Sequence, residues 1–564
     1  MKSSPVQSMR SLLAIACILA WLTGLSLGAA ESRPNVVFIV IDNVDFGYLG
    51  KCYGGTSLTP HLDRIAERGV KFTRAYAVTP LCVPSRYTCL SGRYASRGHA
   101  TANDDDDGEG GSHVALEADR PNLPKVMHQA GYRTGFVGKY HLESEKYDRF
   151  RGKNGDVFGT EADAWLKQRS AWLTGRIKER GFDFVAAPID FRVSQFKGID
   201  LYGERYSHNL EVEVLGALNF IEQSKEQPFF LYLATHLLHL PIDAKLLLDD
   251  YAKYGRVTEG GLLPEAPKVP MPSRKEIYDT AKAAGAKTAQ QFGMHWLDCG
   301  IGAVVQRLEE LKLLDNTLLV VFSDNNQRGK ETLYEGGARV PLLVMWPKRL
   351  KAGTECDRIV ANTDFAPTIF AACGITPPTG MILDGRNFLP VLANAKAPWR
   401  DGLLLENGHT RAIVTDQWKY VALRYPPEVQ EKIAEVDRTG KFPPLTAKAE
   451  LFFDKFKKTL TPEQWNFARN SWRWHTQGNN YMKSIDDFPF QFDADQLFAM
   501  GSGLAPQDTK NLANIPANAE VLADMKAKLK QALIPLEQPF GEFGTKYPAA
   551  PAPMSRKQKR MLEK

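Results

Sequence analysis

Asn35 to Asn43 reads NVVFIVIDN, an unbroken apolar run from Val36 to Ile41 that closes on Asp42-Asn43. A run without alternation marks a strand buried on both faces, the kind found in mostly parallel sheets. The pattern returns as NTLLVVFSDN from Asn316 to Asn325, again closing on Asp-Asn. Two further runs, YRTGFVGKYH (Tyr132 to His141) and PFFLYLATH (Pro228 to His236), also end in polar residues. Pro60 to Gly69, Leu123 to Gly131 and Gln290 to Leu314 have helical spacing, the first two with a Gly stop. Alternating strand and helix predicts an α/β sandwich. In open parallel sheets ligands bind outside the carboxyl ends of the strands, so these four ends are expected to converge on one site.

The character shifts after about Leu392. Leu403 to Leu405, Arg411 to Val414 and Trp418 to Leu423 read as short strands of a smaller antiparallel sheet, separated by Asn-Gly and Asp-Gln turns. An aromatic, helical insertion follows from Ala447 to Tyr481 and carries Trp465, Trp472 and Trp474. At 564 residues the chain is long for one core. The expected division is a signal peptide (1–30), a large α/β domain (31–400), a C-terminal α+β subdomain with the insertion (401–547) and a flexible basic tail (548–564). A hydrophobic fraction of 43% with 24% charged residues excludes disordered and fibrous classes. No repeat of 20 to 50 residues is present.

Lys2 and Arg10 precede an apolar run from Leu12 to Leu27, and Gly28-Ala29-Ala30 offers a cleavage site, which predicts export to the periplasm or beyond, with no stable membrane anchor. Removing Lys2 and Arg10 leaves +4 of the formal charge of +6. That balance does not call for nucleic acid and is compatible with an acidic polymer. The seven cysteines, Cys17, Cys52, Cys82, Cys89, Cys299, Cys356 and Cys373, have no regular spacing and no disulfide framework is expected.

Leu81 to Tyr94, LCVPSRYTCLSGRY, carries the chemistry. Pro84 suits the first turn of a helix, so Cys82 is placed just before a helix N-terminus, with Arg86 one turn along as a forked anion ligand. Taken alone, Cys82 reads as a small buried hydrophobe or a partner for Cys89. The string C-x-P-S-R followed by S-G-R, however, resembles the signature of the type I (formylglycine-dependent) sulfatases of the alkaline phosphatase superfamily. Gly138-Lys139-Tyr140-His141 resembles that family's G-K-W-H, and His239-Leu240-Pro241 its P-H-x-P with Leu238 in place of the first proline. Lys330 to Pro341, KETLYEGGARVP, resembles its K-x-T-x-Y-E-G-G-x-R-V-P almost in full. Asp364 to Thr368 and Asp384-Gly385 match further landmarks of a structural kind, so the resemblance spans Pro34 to Leu392. His236 is read as a satisfied polar residue at a strand end.

The resemblance implies an alkaline-phosphatase-like fold and the hydrolysis of sulfate esters with release of inorganic sulfate; export and the aromatic insertion suggest a sulfated polysaccharide or oligosaccharide as the substrate. It implies that a formylglycine-generating maturation enzyme oxidises Cys82 before folding, and that one hydroxyl of the hydrated aldehyde attacks sulfur. Asp42, Asn43, Asp324 and Asn325 match the family's metal ligands, an all-oxygen set that suits calcium, with magnesium the alternative. Asn43 departs from the family's Asp and removes one negative charge; Asp45 is the nearest residue that could compensate. Arg86, Lys139 and Lys330 would neutralise the sulfate oxygens, His239 with Lys330 would protonate the leaving alcohol, and His141 would take a proton to expel sulfate. Two alternatives remain open on sequence: a phosphonate monoester or phosphodiester hydrolase of the same superfamily, and an inactive sulfated-glycan-binding protein, for which Asn43 is the clue. The acidic run Asp104 to Asp107 with Glu109 reads as a solvated loop, and the three tryptophans as packing of an inserted helix pair.

Overall fold

The computed structural model describes residues 33–98, 114–143, 147, 159–190, 208–240, 242–394, 396–441, 488–501, 503–504 and 508–544. The expected signal peptide, the acidic run at 104–109, the tryptophan-bearing insertion and the tail from 548 lie outside those residues.

The continuous apolar runs form the middle of a large sheet. Its strands are β1 (Asn35–Ile41), β2 (Val70–Tyr76), β3 (Arg133–Lys139), β4 (Phe184–Ile189), β5 (Phe229–Ala234), β6 (Thr317–Ser323), β7 (Arg339–Met345), β8 (Thr354–Cys356) and β9 (Val360–Ala361). They lie in the order β8-β2-β7-β6-β1-β5-β3-β4, with β9 also on β2. Strand β1 runs parallel to both its neighbours, Val36 facing Phe230 on one side and Leu318 on the other. Strand β7 alone runs antiparallel to its partners β6 and β2.

Every residue of β1 is buried, and its side chains alternate between two cores. Val36, Phe38 and Val40 face one layer with helix α1 (Cys82–Ser91), whereas Val37, Ile39 and Ile41 face the other with helices α2 (Leu210–Ser224) and α3 (Ala289–Glu310). Burying each such side chain stabilises the fold by about 1.5–3 kcal/mol, which is why the run carries no alternation. The result is the expected sandwich of helices around a mostly parallel sheet.

A second sheet follows in the C-terminal part: β10 (Leu403–Asn407), β11 (Thr410–Val414), β12 (Trp418–Leu423) and β13 (Asp495–Ala499), all antiparallel and in chain order. Three of these match the expected strands; β13 is additional. Helix α4 (Ala519–Leu533) packs Met525, Leu529 and Leu533 into the core of this sheet. Between the sheets lies a buried charge cluster: Lys419 Nζ donates to Glu335 at 3.0 Å and to Asp508 at 3.3 Å, and Tyr76 Oη also donates to Glu335. Among the described residues no helix is long and apolar enough to cross a membrane, and the six described cysteines are all unpaired with one another.

The landmarks around Asp364 and Asp384 are structural, as expected. Asp364 accepts from the backbone N–H of Ala361 and Arg386, both at 2.8 Å, and Asp384 accepts from the Tyr94 N–H and the Arg97 guanidinium. Gly385 passes so close to β9's exit that a Cβ there would lie 2.0 Å from the Thr363 carbonyl oxygen. Because that neighbour is backbone, it cannot rotate away. Gly385→Ala is therefore expected to lower stability by about 1–3 kcal/mol, measured as a fall in the urea midpoint at constant slope.

Candidate active site

The parallel strands β1, β3, β5 and β6 deliver their carboxyl ends to one edge of the sheet, and the candidate residues meet there. Asp42 and Asn43 leave β1, Asp324 and Asn325 leave β6, Lys139 ends β3, and His239 lies in the turn after β5. The β1 and β6 exits are tied directly. The Asp324 N–H donates to the Ile41 carbonyl at 3.1 Å, and the Asn43 N–H donates to Asp324 Oδ1 at 3.2 Å. Asn43 takes up a left-handed conformation with φ 58°, which Asn tolerates better than most side chains.

Cys82 is the first residue of α1 rather than the residue before it, Leu81 being the N-cap. Cys82 is 3% exposed, and its sulfur lies at the centre of the group. Lys330 Nζ approaches Sγ at 3.0 Å, Asn325 Nδ2 at 3.5 Å, Asp42 Oδ1 at 3.8 Å and Asn43 Oδ1 at 4.0 Å. Ligating atoms of Asp42, Cys82 and His239 all lie within 4.8 Å of one another, which puts His239 beside the sulfur. Burial alone would raise the Cys82 thiol pKa, yet the ammonium of Lys139, then that of Lys330, outweighs it and holds the thiol below its ordinary value.

Arg86, read from sequence as an anion ligand, has its fork committed to the protein. Nε donates to Asp324 Oδ2 at 2.9 Å, one terminal nitrogen to the Lys139 carbonyl at 3.0 Å, and the other reaches Asp324 at 2.8 Å and Asp42 at 3.3 Å. Lys139 Nζ meets Asp42 Oδ2 at 2.5 Å, and Lys330 Nζ also donates to Asn43 Oδ1 at 3.0 Å. Burial pushes the Asp42 carboxyl up, but Lys139, Arg86 and Lys330 overcome it and hold it well below the usual carboxylate range. Asp324 goes the other way: burial, then the neighbouring Asp42 charge, pushes it up to about 7.

The donor set suits a hard divalent cation. Asp42, Asp324 and Asn325 are fully buried and Asn43 is nearly so, all present oxygen, and Asn325 Oδ1 is a buried acceptor without a hydrogen-bond partner. Two carboxylates this close repel, and a cation between them relieves what raises Asp324. Asp45 does not join them: its two oxygens accept from the backbone N–H of Gln327 at 2.6 Å and Arg328 at 3.3 Å.

His141 has φ 56°, so strand alternation does not continue past Lys139. Burial first, then Lys139 and Arg86, holds its pKa well below the ordinary value, which keeps the imidazole neutral. His239 Nδ1 lies 2.8 Å from the Leu240 carbonyl, an acceptor only, so that nitrogen carries the proton. The His239 carbonyl in turn accepts from His208 Nε2 at 2.8 Å. The His208 and His236 rings lie 4.8 Å apart with their planes tilted by 52°, and the His236 backbone N–H donates to Glu213 Oε1 at 3.2 Å. Burial raises Glu213 to about 8. Neither His208 nor Glu213 was singled out by sequence; each is a lone polar residue whose role shows only through burial.

A family profile described as Sulfatase matches residues 34–375, and one described as N-sulphoglucosamine sulphohydrolase, C-terminal, matches residues 327–431. N-acetylgalactosamine-6-sulfatase of Homo sapiens is 27% identical over 413 residues, covering 66% of this chain and 68% of that protein. N-acetylgalactosamine-6-O-sulfatase of Bacteroides thetaiotaomicron is 25% identical over 473 residues, covering 72% and 85%. A solved structure from a study of glycosaminoglycan metabolism in Bacteroides thetaiotaomicron shares the fold with a TM-score of 0.56 at 21% identity, covering 89% of this chain and 99% of that one.

Among the described residues Arg86 is the cation that forms an ion pair with Asp324, which also accepts from the Asn43 N–H and the Asn325 amide. Arg86→Met strands a buried carboxylate, and is expected to lower stability by roughly 3–5 kcal/mol in chelator-treated protein, read as a fall in thermal midpoint. An unchanged midpoint would mean that the carboxylates repack or take water.

Proposed function

Since the chain belongs to the sulfatase family and is a sulfuric ester hydrolase, we propose that it is an exported enzyme that cleaves sulfate esters of carbohydrate through an oxidised Cys82 and a calcium ion held by Asp42, Asn43, Asp324 and Asn325. The observation that carries this reading is the buried Cys82 sulfur, set against Lys330 Nζ at 3.0 Å and within 4.0 Å of Asp42 and Asn43 oxygens. The hexosamine sulfatases among its relatives support the carbohydrate, and the apolar run after Lys2 and Arg10 supports export.

The chemistry divides among the residues present. Oxidised and hydrated, Cys82 would supply the nucleophilic oxygen, and a cation held by Asp42, Asn43, Asp324 and Asn325 would supply Lewis-acid polarisation of the sulfate ester. Lys139 and Lys330 neutralise the oxygens that gain charge as sulfur is attacked. Arg86 holds Asp42 and Asp324 in place and fixes α1, and with it residue 82, against the ends of β1 and β6. His239, once doubly protonated, gives its Nε2 proton to the departing alcohol oxygen. His141, kept neutral by burial and by the cations around it, accepts the proton whose removal expels inorganic sulfate. Expulsion leaves an aldehyde at residue 82, and addition of one water restores the diol for the next turnover; the burial of the surrounding groups strengthens each of these interactions.

The test begins with protein made together with a formylglycine-generating enzyme. Its tryptic peptide Ala75 to Arg86 should be lighter by about 18 Da than the thiol form, and the protein should release inorganic sulfate from a 6-O-sulfated N-acetylhexosamine over many turnovers. Turnover by protein carrying only the thiol would refute the nucleophile, and converted protein without sulfate release from any sulfated sugar would refute the substrate class. Restoring a charge to the donor set should tighten the metal: Asn43→Asp is expected to bind calcium about tenfold more strongly by titration calorimetry, a gain near 1.4 kcal/mol.

A further inference from the structure

Lys330 sits on a loop whose two halves are held from different sheets. Its first half is fixed from the large sheet, where Asp45 takes the backbone N–H of Gln327 and Arg328. The second half is fixed from the small one. Glu331, the residue after Lys330, has φ 71°, a left-handed conformation that is unfavourable for a residue with a side chain. It is gripped on both sides. Its N–H donates to the Pro80 carbonyl at 3.0 Å, two residues ahead of Cys82, and its carbonyl accepts from Asn407 Nδ2 at 2.5 Å.

Asn407 ends β10, the edge strand of the small sheet. Its amide does not close its own turn; there Thr410 Oγ1 donates to the Asn407 carbonyl at 2.7 Å while the side chain reaches across to the loop. The same strand lies along the lead-in to the nucleophile. The Glu406 N–H donates to the Val78 carbonyl at 2.8 Å, and Tyr94 Oη donates to the Leu404 carbonyl at 3.0 Å. Farther along, the Glu335 backbone N–H is held by Asp508 and the Glu335 carboxylate by Lys419 Nζ at 3.0 Å.

We infer that Asn407 is a positioning residue of the hydrolytic site: by holding Glu331 in its left-handed conformation against Pro80, it keeps the Lys330 ammonium on residue 82 and Asn43. This rests on the sulfatase reading. The small sheet therefore takes part in sulfate recognition without touching sulfate.

Asn407→Asp tests it, because the replacement keeps the size and loses the donor; Asn407→Ala is its companion. Each is made with Lys330 present and with Lys330→Ala, and each is assayed for kcat and KM on an aryl sulfate and for the Kd of inorganic sulfate by calorimetry. With Lys330 present, kcat should fall about tenfold and sulfate should bind several-fold more weakly, while the thermal midpoint stays within a few degrees. With Lys330→Ala the same changes should add nothing further, since a residue that acts through Lys330 has nothing left to act on. Wild-type kinetics in Asn407→Asp, or a loss that multiplies fully onto that of Lys330→Ala, would overturn the assignment. The sulfate affinities carry this comparison even without turnover, so an inactive parent enzyme would count against the sulfatase reading and leave the role of Asn407 separately decided.

Discussion

Arg86 is fully buried between carboxylates from the ends of two neighbouring strands, and it also takes the backbone carbonyl at the end of a third. Moving such a charge out of water costs several kcal/mol, and only a complete set of close partners offsets it. That condition is met in one arrangement: β1, β3 and β6 must present their ends at the same level, and α1 must dock against them in one rotational setting. Cys82, one turn earlier on the same helix, inherits its position from this closure. The electrostatics follow from it as well. Three cationic side chains face two carboxylates in a space closed to solvent, so each group's protonation is decided by its neighbours more than by its own chemistry. Asp42 and Asp324 therefore diverge although both are buried aspartates on adjoining strand ends.

Much of this was legible in the residues. An apolar run such as Val36 to Ile41 has one physical explanation, burial on both faces, and four such runs ending in polar residues already imply a shared edge. The Asp-Asn pairs and the Lys330 loop could be named because their chemistry is local to short stretches. What stayed hidden is whatever depends on distant partners. That Arg86 is charged was plain, but not that its fork is taken by residues 44 and 238 positions away. Asp45 looked like a spare ligand until its oxygens were found on the Gln327 and Arg328 amides. Strand β13, DQLFA, is short and opens on two polar residues, and it pairs with a strand some seventy residues earlier instead of one joined to it by a tight turn. His208 and Glu213 carry no pattern at all; their burial is a property of the folded chain.

The strand order has one more consequence. Strand β1 sits in the middle of the large sheet, yet both its neighbours are encoded far downstream, and Lys330, which closes over the Cys82 sulfur, lies 248 positions after it. At a synthesis rate of 5 to 20 residues per second, roughly 12 to 50 seconds separate the appearance of the cysteine from that of the group that seals it. In the folded protein 3% of the surface of residue 82 is left exposed. The topology thus works as a delay line. Residue 82 is enclosed only after the end of β6 and the Lys330 loop, both encoded far downstream of it, have been made.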